Sequence, residues 1–251
     1  MIIEALTHLL TPAPDYVKKM GYLKETIAIE ARVARCKKAW QRHLDQCKSL
    51  ILAQAEKLPP GSTIMILGSG GFHDVPIHRL LAMKHHITCV DIVHLPKVKK
   101  KFNQVTFMER DVTGLNETLY QAIQKGVRVG PAETWELMKT PDLIISLNLL
   151  SQLALKIVSF AEENDHDLGL LFQENVLNAH VARLKKQKTN VLLISDIARE
   201  YYDGETFLEK VPSLAKIDLP DPKERWAWNI APKGEADPEI SVLHKVGAWK
   251  L

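Results

Sequence analysis

The sequence predicts an α/β domain built on a doubly wound, mostly parallel sheet, and three observations lead there. Short, continuous apolar runs stand at 63–67, 87–91, 105–108, 143–147 and 191–195, the pattern of strands buried on both faces. Stretches of helical periodicity separate them, and repeated β-α units require right-handed crossovers and a sheet covered by helices on both sides. Two further runs, 226–230 and 242–246, flank a connection rich in proline, glycine and charge. They read as an antiparallel closing hairpin, which brings the expected sheet to seven strands.

Ahead of the first strand, 24–58 reads as one long amphipathic helix, because Ile29, Val33, Cys36, Trp40, Leu44, Cys47, Ile51 and Leu58 recur at steps of three, four or seven. Pro59-Pro60-Gly61 ends it. Residues 11–14 read as a hinge behind a short lid that carries Tyr16 and Tyr22. The expected division is therefore a helical extension at 1–60 and the sheet domain at 61–251. After the first strand, Gly68-Ser69-Gly70-Gly71 breaks the apolar run, and Asp74 is expected to cap a helix with Pro76 in its first turn and Ile77, Leu80 and Leu81 on its buried side. Residues 115–140 exceed a standard crossover and are expected to hold two short helices broken around 126–131.

Composition narrows the function classes. The 33 basic and 30 acidic residues leave +3, too small and dispersed a charge to point to nucleic acid. The densest basic cluster, Lys97 with Lys99, Lys100 and Lys101, has no interleaved aromatic platform and reads as a solvated face. The three cysteines, Cys36, Cys47 and Cys89, have no CxxC spacing and read as free thiols of a reducing compartment. No run approaches the roughly 20 apolar residues of a membrane span, and the N-terminus lacks a basic leader, so a cytoplasmic protein is expected. The apolar stripe of the long helix must be buried somewhere, which admits a homo-oligomer through that helix.

A parallel sheet binds ligands beyond the carboxyl ends of its strands, where the strand order reverses. The residues there are the glycine turn Gly68, Ser69 and Gly70, then Asp91 with Ile92, Asp111 with Val112, and Ser146 with Asn148. The turn lets a backbone approach a ligand closely. Asp91 follows Gly68 by close to the roughly 20 residues at which a carboxylate reaches ribose hydroxyls. His73, between the turn and the next helix, is placed to accept a proton. No GxSxG elbow and no glycine-lysine-serine or glycine-lysine-threonine phosphate loop occurs. The histidines between His73 and His94, and the trio Cys36, His43 and Cys47, read as structural rather than as a metal site.

On these residues the stretch from 63 to 196 resembles the class I S-adenosylmethionine-dependent methyltransferases. Residues 64–70 resemble their glycine motif, 89–92 their ribose-binding strand end, 109–112 the segment flanking adenine, and 141–148 the motif facing the methionine end and the acceptor. The resemblance implies a Rossmann-like seven-stranded fold whose antiparallel last strand is the closing hairpin's. It implies S-adenosylmethionine as cofactor, held by Gly68, Ser69, Gly70, Asp91, Ile92, Asp111, Val112 and Ser146, and it places His73 and Asn148 at the reaction. The acceptor is left open between a small molecule and a protein side chain. Two positions depart from the pattern: Ile66 stands where the family commonly has an acid, and Phe72 where it has its last glycine. They leave a second reading, a methyltransferase-like binding or scaffold protein without turnover.

Overall fold

The computed structural model describes residues 2–127, 129, 140–214 and 216–251. Helices α1 (Ile2–Leu10), α2 (Asp15–Lys19), α3 (Tyr22–Arg35) and α4 (Lys37–Ala55) precede β1 (Thr63–Leu67). The alternating part runs through α5 (Ile77–Ala82), β2 (His86–Asp91), α6 (Pro96–Lys101), β3 (Thr106–Glu109), α7 (Asn116–Lys125) and β4 (Leu143–Leu147). A 3-10 turn at Leu150–Gln152 and helices α8 (Leu155–Glu162) and α9 (Phe172–Lys186) lead to β5 (Asn190–Asp203), β6 (Thr206–Pro212), β7 (Glu224–Ala231) and β8 (Ile240–Lys250).

The sheet order is β3-β2-β1-β4-β5-β8-β7, with β6 paired to β5 off that path. The strands from β3 to β5 are parallel, while β8 runs antiparallel to both β5 and β7. This is the Rossmann-like sheet with an antiparallel closing hairpin that the sequence predicts, with one strand more than expected. The order reverses between β1 and β4, so a crevice opens at the carboxyl ends of these two strands.

The period of two along each strand sends alternate side chains into separate cores. Ile64, Ile66, Ile145 and Ile194 pack with Trp40, Ile51 and Leu80 beneath α4 and α5. Met65, Leu67, Ile144 and Leu193 meet Val176, Leu177 and Leu184 of α9 on the other face. Ile66 is fully buried in the first core, so a carboxylate at this position would lie unpaired among aliphatic groups. A third, smaller core joins Met20 to Leu119, Ile157 and Phe160, with Tyr16 and Tyr22 against it. The expected lid segment thus packs onto α7 and α8, and the Tyr22 hydroxyl donates to Asn116 Oδ1 at 2.5 Å.

The long helix is two helices. At Cys36 the backbone turns to φ −94 and ψ 13, yet the ladder continues on both sides, with Cys36 N–H on the Arg32 carbonyl and Trp40 N–H on the Cys36 carbonyl. No proline or glycine causes the break. The two halves serve different partners: α3 packs on α1 and α2, whereas α4 lies along the sheet against β7, where Trp40 Nε1–H donates to the Ile230 carbonyl at 3.0 Å. The apolar stripe of α4 is buried by the chain's own sheet, which removes the reason for seeking a second copy there.

Asp74 does not cap α5; the helix begins after Pro76 without a side-chain cap. Strand β5 outruns its apolar segment and returns as β6 through the two-residue turn Gly204-Glu205, with Gly204 at φ 59, and a glycine at the first of two turn positions is the signal of a type II′ hairpin. The first helix expected within 115–140 is α7; the second lies outside the described residues. Among the described residues no helix is long and apolar enough to cross a membrane.

Two glycines of the turn after β1 differ in what they allow. A Cβ on Gly68, at φ +80, would stand 2.7 Å from the Leu147 carbonyl oxygen and 3.1 Å from Leu149 Cβ, whereas one on Gly70, at φ +48, would meet nothing within 4 Å. Gly68→Ala is expected to cost about 2–5 kcal/mol, from left-handed strain plus overpacking, and Gly70→Ala about 1–2 kcal/mol from strain alone. Urea denaturation measures both, and the reverse ranking would show that β1 and β4 do not close as described.

Candidate functional site

The glycine turn and the β2 end are one hydrogen-bonded unit. Gly68 N–H reaches the Val90 carbonyl at 2.9 Å. Asp91 Oδ2 accepts from Gly70 N–H at 2.9 Å, and Oδ1 from Ile92 N–H at 2.8 Å. Burial pushes the Asp91 carboxyl up to about 6 against the pull of these two amides, with the Asp74 charge adding to the rise. Ser69 turns away from the crevice, its Oγ 3.0 Å from Nε2 of the buried His94, whose imidazole is lowered to about 4 by burial. Phe72 adopts φ 63, a glycine's backbone region, and its ring packs edge-on to Phe102 with centroids 4.8 Å apart. The departure at this position therefore keeps the glycine's backbone geometry and adds a core side chain.

The next two expected positions serve local structure. Asp111 Oδ1 accepts from the backbone and hydroxyl of Thr113, and Oδ2 from Asn116 N–H at the start of α7, an anchoring of a helix N-terminus by a carboxylate. Val112 is buried in the second core, and its carbonyl accepts from Arg183. Ser146 is fully buried, and its Oγ sits 3.0 Å from His180 Nε2 in α9. Strand parity points this hydroxyl under the sheet, so only the Ser146 backbone faces the crevice.

Neighbouring residues 73 and 74 diverge. His73 Nε2 lies 2.6 Å from Glu30 Oε1, and Lys97 Nζ approaches the other oxygen of Glu30 at 2.7 Å. Burial works to raise the Glu30 carboxyl, but the bonds from His73 and Lys97 overturn it and hold the group at about 2. Asp74 instead meets Asn148, whose Nδ2 donates to Asp74 Oδ2 at 2.8 Å. Asn148, at φ 49, also lies 3.1 Å from His43 Nε2. The structure thus separates His73 from Asn148 and joins Asn148 to Asp74 and His43.

The carboxylate of Asp74, the thiol of Cys47 and a ring nitrogen of His43 lie within 4.8 Å of one another. Proton counting argues against a metal. Trp226 Nε1–H, a donor only, faces His43 Nδ1 at 3.0 Å, and the Asn148 amide Nδ2 faces Nε2 at 3.1 Å, so the neutral ring meets a donor at each nitrogen and can accept from only one of them. A metal on Nε2 would displace the Asn148 amide and leave the ring proton on Nδ1, against the indole. Burial holds His43 near 3, with His244 adding to the drop, and it raises the Cys47 thiol and the Asp74 carboxyl, the latter against the pull of the Asn148 amide. The His43 ring is stacked on Trp228 at 3.8 Å.

A second polar group adjoins this one in the middle of β5, β7 and β8. Ser151 Oγ–H donates to Asp196 Oδ1, and Asp196 Oδ2 faces His244 Nδ1 at 3.7 Å. Burial lowers the His244 imidazole while Asp196 opposes the drop. Asn148 Oδ1, Asp196 Oδ2, Arg199 Nε, Trp228 Nε1 and His244 Nδ1 are all buried without a hydrogen-bond partner. Each such group costs roughly 1–3 kcal/mol, and so many along one wall mark a place built to meet a ligand or ordered water. The sequence signal for this wall was faint: His43 and Cys47 sit on an apolar helical stripe, and Asp196 and His244 lie in strands.

No protein-family model matches the chain, and no curated protein matches it. Solved structures do. The chain is 11% identical to the 1,6-didemethyltoxoflavin-N1-methyltransferase of Burkholderia thailandensis, solved with 1,6-didemethyltoxoflavin and S-adenosylhomocysteine, over 94% of this chain and 91% of that one, with a TM-score of 0.46. It is 14% identical to the magnesium protoporphyrin IX methyltransferase of Synechocystis, solved with S-adenosylmethionine, over 82% and 79% of the two chains, at 0.38. A Rhodobacter sphaeroides protein described as a Zn-dependent alcohol dehydrogenase is 16% identical over 59% of this chain, at a TM-score of 0.35, and the present chain spans only 45% of its length.

The proton count yields a test. Added Zn2+ is expected to leave the wild-type melting temperature unchanged. A one-to-one zinc complex with a melting shift that Cys47→Ala abolishes would overturn the argument from the two donors at the His43 ring.

Proposed function

We propose that this protein is an S-adenosylmethionine-dependent methyltransferase whose cofactor lies across the carboxyl ends of β1, β2 and β4 and whose acceptor lies against the polar wall at β4, β5 and β8. The observation that carries this reading is the coupling of the glycine turn to Asp91 at the switch point of the sheet. The space in front of Gly70 is open, which suits close approach of a ligand to the turn. Each Asp91 oxygen accepts one amide and keeps lone pairs for two ribose hydroxyls. Ile66 offers no acceptor, and the methionine ammonium is assigned instead to Asp74 and the unpartnered Asn148 Oδ1.

The cofactor supplies an electrophilic methyl group on a sulfonium; the protein's task is alignment and exclusion of water. Asn148 is fixed for that task by its bond to Asp74. The segment carrying Tyr16, Met20 and Tyr22 closes over α7 and α8 and acts as the lid. His73 is tied to Glu30, so the proton of an acceptor that must lose one goes to His244, whose Nδ1 faces Asp196 Oδ2 at 3.7 Å. The second reading, binding without turnover, draws on the burial of Ile66 in an apolar core.

Asp91 supplies the test. Its carboxyl is ionised above about 6 and neutral below, so S-adenosylmethionine affinity should fall as pH drops through that value. Asp91→Ala should lower affinity about tenfold or more, from the loss of charge-assisted bonds worth roughly 1.5–3 kcal/mol, and Asp91→Asn should flatten the pH profile. Calorimetry across pH measures both. An unchanged dissociation constant in a folded variant would reject the cofactor pose, and binding without methyl transfer to any acceptor would favour the second reading.

A further inference from the structure

Beside the glycine turn, but away from Gly68, Asp91 and Asn148, a cavity of about 670 Å3 opens between α4, the segment leading into α5, and α6. Its volume falls within the roughly 300–1,000 Å3 of small-molecule sites. We infer that this cavity binds an organic phosphate with an apolar body, such as an aryl monophosphate.

The walls set the chemistry. Leu52, Phe72, Val75 and Phe102 give the cavity an apolar floor, firm because Phe72 and Phe102 are locked edge to face. Cations line the rest: Lys48 from α4, Arg79 from α5, and Lys97 and Lys101 from α6. The carboxylate among the lining residues, Glu30, is already taken by His73 and Lys97. Lys48, Arg79 and Lys101 have no ion-pair partner among the described residues, and Lys101 rests over the Phe102 ring at 4.9 Å, which carries its charge to the edge of the floor. Three unpaired cations from three helices lining one cavity suit a dianion better than a monoanion, and one guanidinium among them can grip two phosphate oxygens at once. The floor selects for an aryl or alkyl group, because free phosphate would leave that surface wet. The run at 97–101 thus divides: Lys99 pairs with Glu109 outside, while Lys97 and Lys101 face the cavity.

This assignment stands independently of the methyltransferase reading, since it uses none of the residues that read assigns to the cofactor. The test is calorimetry of the full chain with phenyl phosphate, inorganic phosphate and phenol. Phenyl phosphate should bind saturably and weaken with added salt, while phosphate and phenol each bind at least about tenfold more weakly. Arg79 and Lys101 are exposed, so the double variant Arg79→Ala/Lys101→Ala should keep its melting curve and lose at least about tenfold in phenyl phosphate affinity. Lys48→Ala provides the same test from a different helix. Binding of phenyl phosphate that neither variant changes, equal binding of inorganic phosphate, or no saturation at about 10 mM, which is beyond any useful affinity, would overturn the inference. A failure to bind S-adenosylmethionine would leave these outcomes as they are.

Discussion

The backbone of Gly68 passes so close to the carbonyl of Leu147 that a single added carbon would stand 2.7 Å from the oxygen. Strands β1 and β4 are hydrogen-bonded neighbours up to that point, and the contact fixes how their two chain exits part. One exit turns through Gly70 onto Asp91. The other passes directly into Asn148, which takes a left-handed backbone conformation and from there reaches Asp74. The two proposed ends of the cofactor site, ribose and methionine, therefore hang on one close approach of backbone to backbone.

Around that approach the protein places titratable groups for which burial, rather than a neighbouring charge, is the largest influence. Asp91 and Asp74 are raised, and His43, His94 and His180 are lowered, each in the direction that favours the uncharged form. The exception is Glu30, where the bonds from His73 and Lys97 overturn the effect of burial and hold the carboxyl at about 2.

The sheet was legible in the sequence because its central strands are buried on both faces and so appear as unbroken apolar runs. The strand β6 was not read because it is exposed along its whole length and lacks such a run, although Gly204 marks its turn. The break at Cys36 leaves no trace in composition, since both halves keep helical periodicity and only their tertiary partners differ. The glycine turn and Asp91 lie where the spacing put them. Asp74 looked like a cap because residue type alone cannot tell a helix N-terminus from a buried acceptor, and Ser146 looked like a ligand contact because the parity that sends its hydroxyl toward His180 depends on which face α9 covers.

The account turns on whether the crevice between β1 and β4 holds S-adenosylmethionine, and a crystal structure of the full chain with S-adenosylhomocysteine measures that most directly. The ribose hydroxyls are predicted within hydrogen-bond distance of Asp91, the sulfur over Gly70, and the amino group against Asn148. Ligand density elsewhere on the protein, or an empty crevice at saturating ligand with Gly70 still bonded to Asp91, would contradict it.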